Sequence, residues 1–260
     1  MKFTTISLNT SWENKEENFR KVENLFNKID DLGDIVLLPE MFSTGFSMNI
    51  EMAENKNDRT LKWLKEITNK YNVAIICSFP FKEKDKYFNR AFFVTPLGEV
   101  YFYDKKHLFR MGDEERVYSS GNNLPIICYK GINICITVCY DIRFPVWSRN
   151  VGLKYDVLVN IANFPKQRVK VIDPLIRARA IENLSYAFFA NRDGADLTME
   201  YCKSSLMVDF KGNEFSNKKE IDDGFGNMTQ VLSAEVDLEE LKRFRDVFPA
   251  WLDNDKFSLE

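Results

Sequence analysis

The sequence predicts an α/β fold. Short apolar runs alternate with segments that repeat apolar residues every three to four positions, in the order βαβαβ, then hairpins, then βαβ. The chain has 260 residues, of which 45% are hydrophobic, and this is enough for one large core. Because no linker, repeat or low-complexity tract interrupts the pattern, we expect one domain over residues 1–260 with helices outside its sheets.

The first five elements form the βαβαβ part of the pattern. Residues 2–9 alternate as a half-buried strand does, and residues 34–39 and 73–79 are short apolar runs typical of buried strands. Residues 13–30 and 58–71 place apolar side chains at helical spacing with charges on the opposite face. These segments are therefore predicted to be three strands separated by two helices.

Two hairpins are predicted in the middle of the chain. Residues 87–95 and 99–104 flank the turn sequence Pro-Leu-Gly, and residues 124–129 and 132–138 flank Lys-Gly. Each pair therefore reads as two adjacent antiparallel strands.

The C-terminal part returns to alternation of strands and helices. A helix is predicted over 171–184, with Asp173 as its N-cap and Pro174 at its first position. A tail from about 247 to 260 contains Phe-Pro-Ala-Trp, which we expect to pack on the domain or on a partner subunit. The remaining elements are predicted strands at 155–161, 186–191 and 204–210 and a helix at 238–246.

Composition excludes several classes of function. The formal net charge is −3, and lysines and arginines are scattered, so nucleic acid is not an expected partner. The N-terminus lacks the apolar core of a signal peptide and no stretch has the length of a membrane span, so we expect a soluble, cytoplasmic protein. There is no glycine-rich nucleotide-binding motif, and no cofactor is expected.

The numbers of cysteines and histidines exclude several kinds of structural and catalytic site. Five cysteines, an odd number, argue against a disulfide framework, and Cys77, Cys128 and Cys135 lie in apolar runs typical of a core. A single histidine, His107, excludes zinc sites with two or three histidine ligands, and no metal is expected. A cysteine protease would need His107 beside Cys139; otherwise acid–base chemistry depends on carboxylates and lysines.

Three predicted strands each end in a different reactive group. Cys139 follows the apolar run 132–138, Glu40 follows 34–39, and Lys105 follows the aromatic strand 99–104. Taken singly, each has an ordinary structural explanation, respectively core packing, a surface carboxylate and a solvated charge. Together they supply a base, a nucleophile and a cation for a developing oxyanion, at the strand ends where α/β sheets bind ligands. A helix start and a nearby cation would also favour the thiolate.

The segments that carry these groups resemble those of the nitrilase superfamily of carbon–nitrogen hydrolases. They read LLPEMFSTGF, YDKKHLF and VCYDIRFP, in the order and at the separations usual in that family. The resemblance continues through ANFP at 162–165 and RARAIEN at 177–183, and so covers essentially the whole chain.

This resemblance implies roles for particular residues. Glu40, Lys105 and Cys139 would be the catalytic base, ammonium and nucleophile, with Lys105 rather than its neighbour as the family lysine. Glu114, seven residues before a glycine, would be the second glutamate, and the backbone N–H of Tyr140 would complete the oxyanion site. The implied fold is a four-layer αββα sandwich, and the implied assembly is a homodimer or larger.

The motif sequences are most similar to those of the bacterial omega-amidase branch, which hydrolyses the terminal amide of 2-oxo acid amides such as 2-oxoglutaramate. Tyr-Asp rather than Trp-Glu follows the nucleophile, which argues against a nitrile-cleaving member. An amidase for N-carbamoyl amino acids or deaminated glutathione, and a non-catalytic scaffold of the same fold, remain alternatives.

A small anionic amide substrate requires a cation for its far carboxylate. Arg110, which follows the lysine motif, is the candidate, whereas Arg143 is expected to pair with a nearby carboxylate. Phe42, Met111 and Phe164 flank the motif segments and are the candidate walls of the pocket.

Overall fold

The computed structural model describes residues 1–255, 257 and 258 and contains two main β-sheets with helices against them. The helices are α1 (Lys15–Lys28), α2 (Arg59–Tyr71), α3 (Glu114–Val117), α4 (Ile172–Asn183) and α5 (Leu238–Val247). The strands are β1 (Lys2–Ile6), β2 (Ile35–Leu37), β3 (Ala74–Glu83), β4 (Lys86–Val94), β5 (Val100–Asp104), β6 (Ile126–Tyr129), β7 (Ile132–Val138), β8 (Val157–Ala162), β9 (Tyr186–Asn191), β10 (Gly194–Ala195), β11 (Glu200–Tyr201), β12 (Leu206–Val208), β13 (Asn217–Asp222) and β14 (Met228–Glu235).

The larger sheet has seven strands in the order β13-β14-β1-β2-β3-β4-β5, and the smaller has five in the order β12-β9-β8-β7-β6. Strands β1, β2 and β3 pair in parallel, as do β7, β8 and β9, whereas the outer strands are antiparallel. The carboxyl ends of β7 and β8 therefore lie side by side.

The two sheets pack face to face with helices on their outer faces. Phe3 of β1 meets Phe188 of β9 edge to face, with 5.0 Å between ring centroids, within one apolar core shared by both sheets. Helices α1 and α2 cover the larger sheet through a second core that includes Phe19 and Trp63. Helices α4 and α5 cover the smaller sheet through Ile176 and Leu241, among others. The predicted four-layer αββα sandwich is thus confirmed.

Most predicted elements are present, and two strands, 132–138 and 186–191, have the predicted bounds. Strands β13 and β14 were not predicted, although β14 pairs with β1 inside the larger sheet. The capping prediction for α4 is wrong. A 3-10 turn, Lys166–Val171, runs directly into the helix, so Val171 is its N-cap, Asp173 makes no capping bond and Pro174 lies at the third position.

The C-terminal tail packs partly on the domain. Arg149 donates a hydrogen bond from Nη2 to Oδ1 of Asn254 at 2.7 Å, and the ring of Phe248 lies 6.0 Å from that of Phe244. The side chains of Val247 and Leu252 remain exposed. Residues 256, 259 and 260 of the predicted tail lie outside the described residues. Among the helices that are described, none is long and apolar enough to cross a membrane.

Candidate active site

Glu40 lies three residues beyond the end of β2 and is fully buried. Its Oε1 atom accepts hydrogen bonds from Nζ of Lys105 at 2.8 Å and from Nδ2 of Asn89 at 2.7 Å. Its Oε2 atom accepts from the backbone N–H of Asn163 at 2.9 Å. A buried carboxylate needs such partners, and these three fix the orientation of the carboxyl group.

Lys105 follows β5 directly, and its ammonium lies between two buried carboxylates. Besides Glu40, it donates to Oε2 of Glu114 at 2.8 Å, and Asn89 also donates to Oε1 of Glu114, at 2.8 Å. Burial acts against the ammonium, but the carboxylates of Glu114 and Glu40 outweigh it and hold the pKa of Lys105 above its ordinary value. Lys105 is therefore charged at neutral pH.

The charges in this cluster do not cancel. One ammonium faces two carboxylates, so with both ionised the cluster has one excess negative charge in a buried place. Burial raises the pKa of Glu114 above its ordinary value, Lys105 opposes this, and the negative charge of Glu40 adds to it. Uptake of one proton by a carboxylate would neutralise the cluster, and this suits the cluster to accept a proton from a neighbouring group.

Gly121 fixes the backbone at the start of the lysine segment. It donates a hydrogen bond from its N–H to the carbonyl oxygen of Lys105 at 3.0 Å. A Cβ atom at this position would lie 2.1 Å from the carbonyl oxygen of Asp104, so only glycine allows the two backbones to approach this closely.

Cys139 follows β7 directly and begins a 3-10 turn over Cys139–Arg143. Its φ is +44°, a left-handed conformation that is uncommon for residues other than glycine and costs on the order of 1–3 kcal/mol. The side chain is 8% exposed and opens into a cavity. The nucleophile candidate thus sits at a sharp turn after a buried strand, as predicted from the sequence.

Asp141 stabilises this turn through hydrogen bonds that its carboxylate accepts. Its Oδ2 atom accepts from the backbone N–H of Val138 at 3.0 Å and from the hydroxyl of Tyr103 at 2.8 Å. Its Oδ1 atom accepts from the backbone N–H of His107 at 2.9 Å and lies 2.7 Å from His107 Nδ1. Asp141 therefore joins the cysteine turn to the lysine segment, and His107 contacts Asp141 rather than acting as a partner of Cys139.

The environment of Cys139 favours the thiol over the thiolate. Burial raises the pKa of Cys139 well above its ordinary value, the Glu40 carboxylate raises it further, and Lys105 acts in the opposite direction. The cation expected from the sequence does favour the thiolate, but burial and the Glu40 carboxylate outweigh it. A thiol in this environment needs a base, and Glu40 is the carboxylate with the largest effect on the pKa of Cys139.

A cavity of about 690 Å³ opens above Cys139. Tyr140, Met111 and Phe164 line it, as do the aromatic side chains of Phe46 and Phe109. Its other lining residues are Trp12, Met48, Gly112, Asp113, Arg143, Asn163, Pro165, Arg168, Asp196, Thr198, Met199 and Tyr201. Apolar walls with few polar groups are typical of a site for a small organic molecule.

Two predicted pocket residues do not line this cavity. Phe42 packs in the core beneath α1 and α2, with its ring 5.7 Å from that of Trp63. Arg110 is exposed and lies outside the cavity lining. Arg143 lines the cavity instead and, within the described part of the chain, has no ion pair, contrary to the expectation that it pairs with a carboxylate.

Several residues of the site were not predicted from the sequence, among them Asn89, Asn163 and Arg168. Asn89 lies inside β4, Asn163 follows β8, and Arg168 lies in the turn before α4. The sequence signal for Asn163 was available, because it falls in the ANFP segment that resembles the family. Cys77 and Cys135 are buried as predicted, whereas Cys128 is exposed, since it lies on the outer face of the edge strand β6.

The model of one protein family, described as carbon-nitrogen hydrolase, matches residues 4–246. The chain belongs to this family. It is accordingly a hydrolase that acts on the carbon–nitrogen bonds of amides, and the nitrilase-superfamily resemblance seen in its motifs is confirmed.

Relatives extend over the full chain. The omega-amidase YafV of Yersinia enterocolitica is 38% identical over 262 residues, and YafV of Escherichia coli strain K12 is 34% identical over 260 residues; both matches cover 100% of this chain and 98% of the relative. The 2-oxoglutaramate amidase of Bacillus subtilis is 29% identical, and the match covers 97% of this chain and 98% of the relative.

Solved structures give the same result for the fold. XC1258 from Xanthomonas campestris, a CN-hydrolase superfamily protein with an arsenic adduct in its active site, matches with a TM-score of 0.91 at 31% identity. That match covers 100% of this chain and 99% of the other. Nit3 of Saccharomyces cerevisiae, a member of branch 10 of the nitrilase superfamily, matches with a TM-score of 0.81 at 22% identity. That match covers 96% of this chain and 94% of the other.

Proposed function

We propose that this carbon–nitrogen hydrolase is an omega-amidase, which converts 2-oxo acid amides of the 2-oxoglutaramate type to the acid and ammonia through a thioester on Cys139. Full-length relatives with that activity in their names support the substrate class. The observation that carries the mechanism is the buried contact of 2.8 Å between Lys105 and Glu40, beside the thiol of Cys139.

The first half of the reaction forms the thioester. Glu40 accepts the thiol proton as the sulfur of Cys139 attacks the amide carbon, which neutralises the excess negative charge of the cluster. The carbonyl oxygen becomes an oxyanion, stabilised by the ammonium of Lys105 and the backbone N–H of Tyr140. Tyr140 is the second residue of the 3-10 turn, where a backbone N–H has no partner within the helix. Glu40 then passes its proton to the nitrogen, the carbon–nitrogen bond breaks and ammonia leaves.

The second half hydrolyses the thioester. Glu40, again a carboxylate, removes a proton from water as the water oxygen attacks the thioester carbon. The same two donors stabilise the second oxyanion, the carbon–sulfur bond breaks, and the proton on Glu40 returns to the sulfur. Glu114 remains bound to Lys105 and to the backbone N–H of Phe109, the latter at 2.6 Å, and so positions the ammonium throughout.

A panel of small amides tests this function. Purified protein is assayed for ammonia release from 2-oxoglutaramate, a neutral amide and a nitrile, and for carbon dioxide release from an N-carbamoyl amino acid. The proposal requires the highest kcat/KM for 2-oxoglutaramate. A higher value for the carbamoyl compound would replace it with the carbamoyl-hydrolase alternative, and no turnover of any compound would favour the non-catalytic scaffold.

The proposal includes a homodimer in the cytoplasm. Exposed apolar side chains on the C-terminal segment, those of Val247, Phe248 and Leu252, support an assembly that covers them. Sedimentation of the purified protein should give twice the mass of the 30.5 kDa chain, and truncation after residue 246 should shift the equilibrium toward monomer. A wild-type chain that sediments at monomer mass would contradict the dimer.

A further inference from the structure

The charged side chains that line the cavity differ in whether they have a partner of opposite charge. Two carboxylates line it, and both have a cationic partner: Asp113 pairs with Arg116 at 3.1 Å, and Asp196, which also accepts from the hydroxyl of Tyr201 at 2.6 Å, lies 3.8 Å from the guanidinium of Arg192. Two guanidinium groups also line it, those of Arg143 and Arg168, and neither forms an ion pair in residues 1–255, 257 and 258. A guanidinium is always charged in proteins, so two positive charges of the cavity lining have no carboxylate partner among the described residues.

The two arginines differ in how firmly they are held. Arg143 is exposed, and in the described part of the chain its side chain makes no hydrogen bond. Arg168 is half-buried, and its guanidinium lies over the ring of Phe109 with 4.8 Å from Cζ to the ring centroid. Stacking on an aromatic face holds the planar group in one orientation and leaves its N–H edges free for a ligand.

The segments that carry Arg168 and Phe109 are both linked to the catalytic groups by backbone hydrogen bonds. Arg168 lies five residues after Asn163, whose backbone N–H donates to Glu40, and Arg168 N–H itself donates to the carbonyl of Pro165 at 2.9 Å. Phe109 N–H donates to Glu114. These bonds fix the backbone segments that carry Arg168 and Phe109 relative to the base and the ammonium, and the contact with the Phe109 ring places the guanidinium on that frame, as selection by a charged substrate group requires.

We propose that Arg168 binds the far carboxylate of the substrate, so that the site selects monoamides of short dicarboxylic acids. This rests on the proposed function and assigns to Arg168 the role that the sequence alone suggested for Arg110. A carboxylate accepts two parallel N–H bonds from a guanidinium, and the apolar cavity wall strengthens that pair. Arg143, exposed at the rim, contributes only to long-range attraction of the anion.

The kinetic arm of the test compares an anionic with a neutral amide. Ammonia release from 2-oxoglutaramate and from pentanamide is measured for the wild type, Arg168→Gln, Arg168→Lys, Arg143→Gln and Arg110→Gln. Arg168→Gln should lower kcat/KM for 2-oxoglutaramate by roughly 10- to 100-fold, the effect of a lost charge-assisted pair, and leave pentanamide nearly unchanged. Arg168→Lys should recover part of the loss, and Arg110→Gln should change neither value. Equal losses on both amides would mean that Arg168 only supports Phe109, and would overturn the assignment.

A binding arm does not depend on turnover. Alkylation of Cys139 by iodoacetamide is followed by mass spectrometry with increasing glutarate or glutaramide, and the exposed Cys128 is the internal reference. Glutarate should protect Cys139 in the wild type, and Arg168→Gln should need roughly 10- to 100-fold more glutarate for the same protection. Unchanged protection in Arg168→Gln, or none in the wild type, would overturn the assignment. Arginine-dependent protection without turnover of 2-oxoglutaramate would refute the proposed function and leave the carboxylate site standing.

Discussion

Replacement of Asn89 tests whether hydrolysis depends on the hydrogen bonds that Asn89 donates to Glu40 and Glu114. The Nδ2 group of Asn89 donates to Glu40 at 2.7 Å and to Glu114 at 2.8 Å, and the residue is fully buried. Asn89→Ala removes both bonds. A hydrogen bond to a charged group contributes about 1.5 kcal/mol or more, so the two together give about 3 kcal/mol, which is roughly a 100-fold loss in kcat/KM.

The pH dependence distinguishes this effect from a general loss of structure. The Asn89 bond lowers the pKa of Glu114, against the burial that raises it, so its removal favours the protonated carboxyl. Protonation of Glu114 would remove the excess negative charge that suits the cluster to accept the thiol proton. The acid limb of the kcat/KM profile should therefore move to higher pH in Asn89→Ala.

The assay is ammonia release from 2-oxoglutaramate between pH 5 and 9, with thermal unfolding measured in parallel. Asn160→Ala is the matched control, because Asn160 is equally buried but donates to Oγ1 of Thr137 at 2.9 Å, away from the carboxylates. The control should lose stability and keep its pH profile. A folded Asn89→Ala protein with the wild-type kcat/KM and an unshifted acid limb would refute this reasoning.

Three further substitutions test the site. Cys139→Ala should abolish hydrolysis while the protein stays folded, whereas Cys135→Ala should remain active; an adduct on Cys135 in place of Cys139 by mass spectrometry would reverse the assignment. Glu40→Gln should abolish ammonia release and slow alkylation of Cys139 by iodoacetamide, because the thiol, whose pKa burial raises, loses the group that accepts its proton; unchanged or faster alkylation would show that Glu40 is not that base. Gly121→Ala should lower the melting temperature by several degrees, since the added Cβ would overlap the carbonyl oxygen of Asp104. An unchanged melting temperature would show that the backbone at Gly121 shifts at little cost to accommodate the methyl group.

The sequence predicts much of this fold because burial leaves a direct signal. Strands β7 and β9 are buried along most of their length and read as continuous apolar runs between turns, so their bounds could be predicted. Strand β13, with the sequence NKKEID, is an exposed edge strand full of charge. Its pairing with β14 depends on a neighbour in space, and no local pattern distinguishes it from a solvated loop.

The same contrast applies to the site. Glu40, Lys105 and Cys139 could be predicted because each ends a strand and because their segments resemble a family. Asn89 is one polar residue within a strand, and its partner Glu40 is 49 positions away in the chain, so its role is defined only by folding. Arg168 could not be chosen over Arg110 from sequence, because only the path of the turn before α4 brings a guanidinium over Phe109.

The groups proposed to break the bond and the groups that line the cavity belong to different kinds of structure. The proposed nucleophile, base and ammonium follow the ends of strands β7, β2 and β5 of the two main sheets, whereas Arg168 and the short β10–β11 hairpin that carries Tyr201 lie on connecting segments. Exchange of these connections between relatives would change which acids are admitted and leave the bond-breaking apparatus intact. Grafting the 166–171 turn or the 194–201 hairpin would thus redirect the protein toward new amides without a change in Asn163, which donates to Glu40.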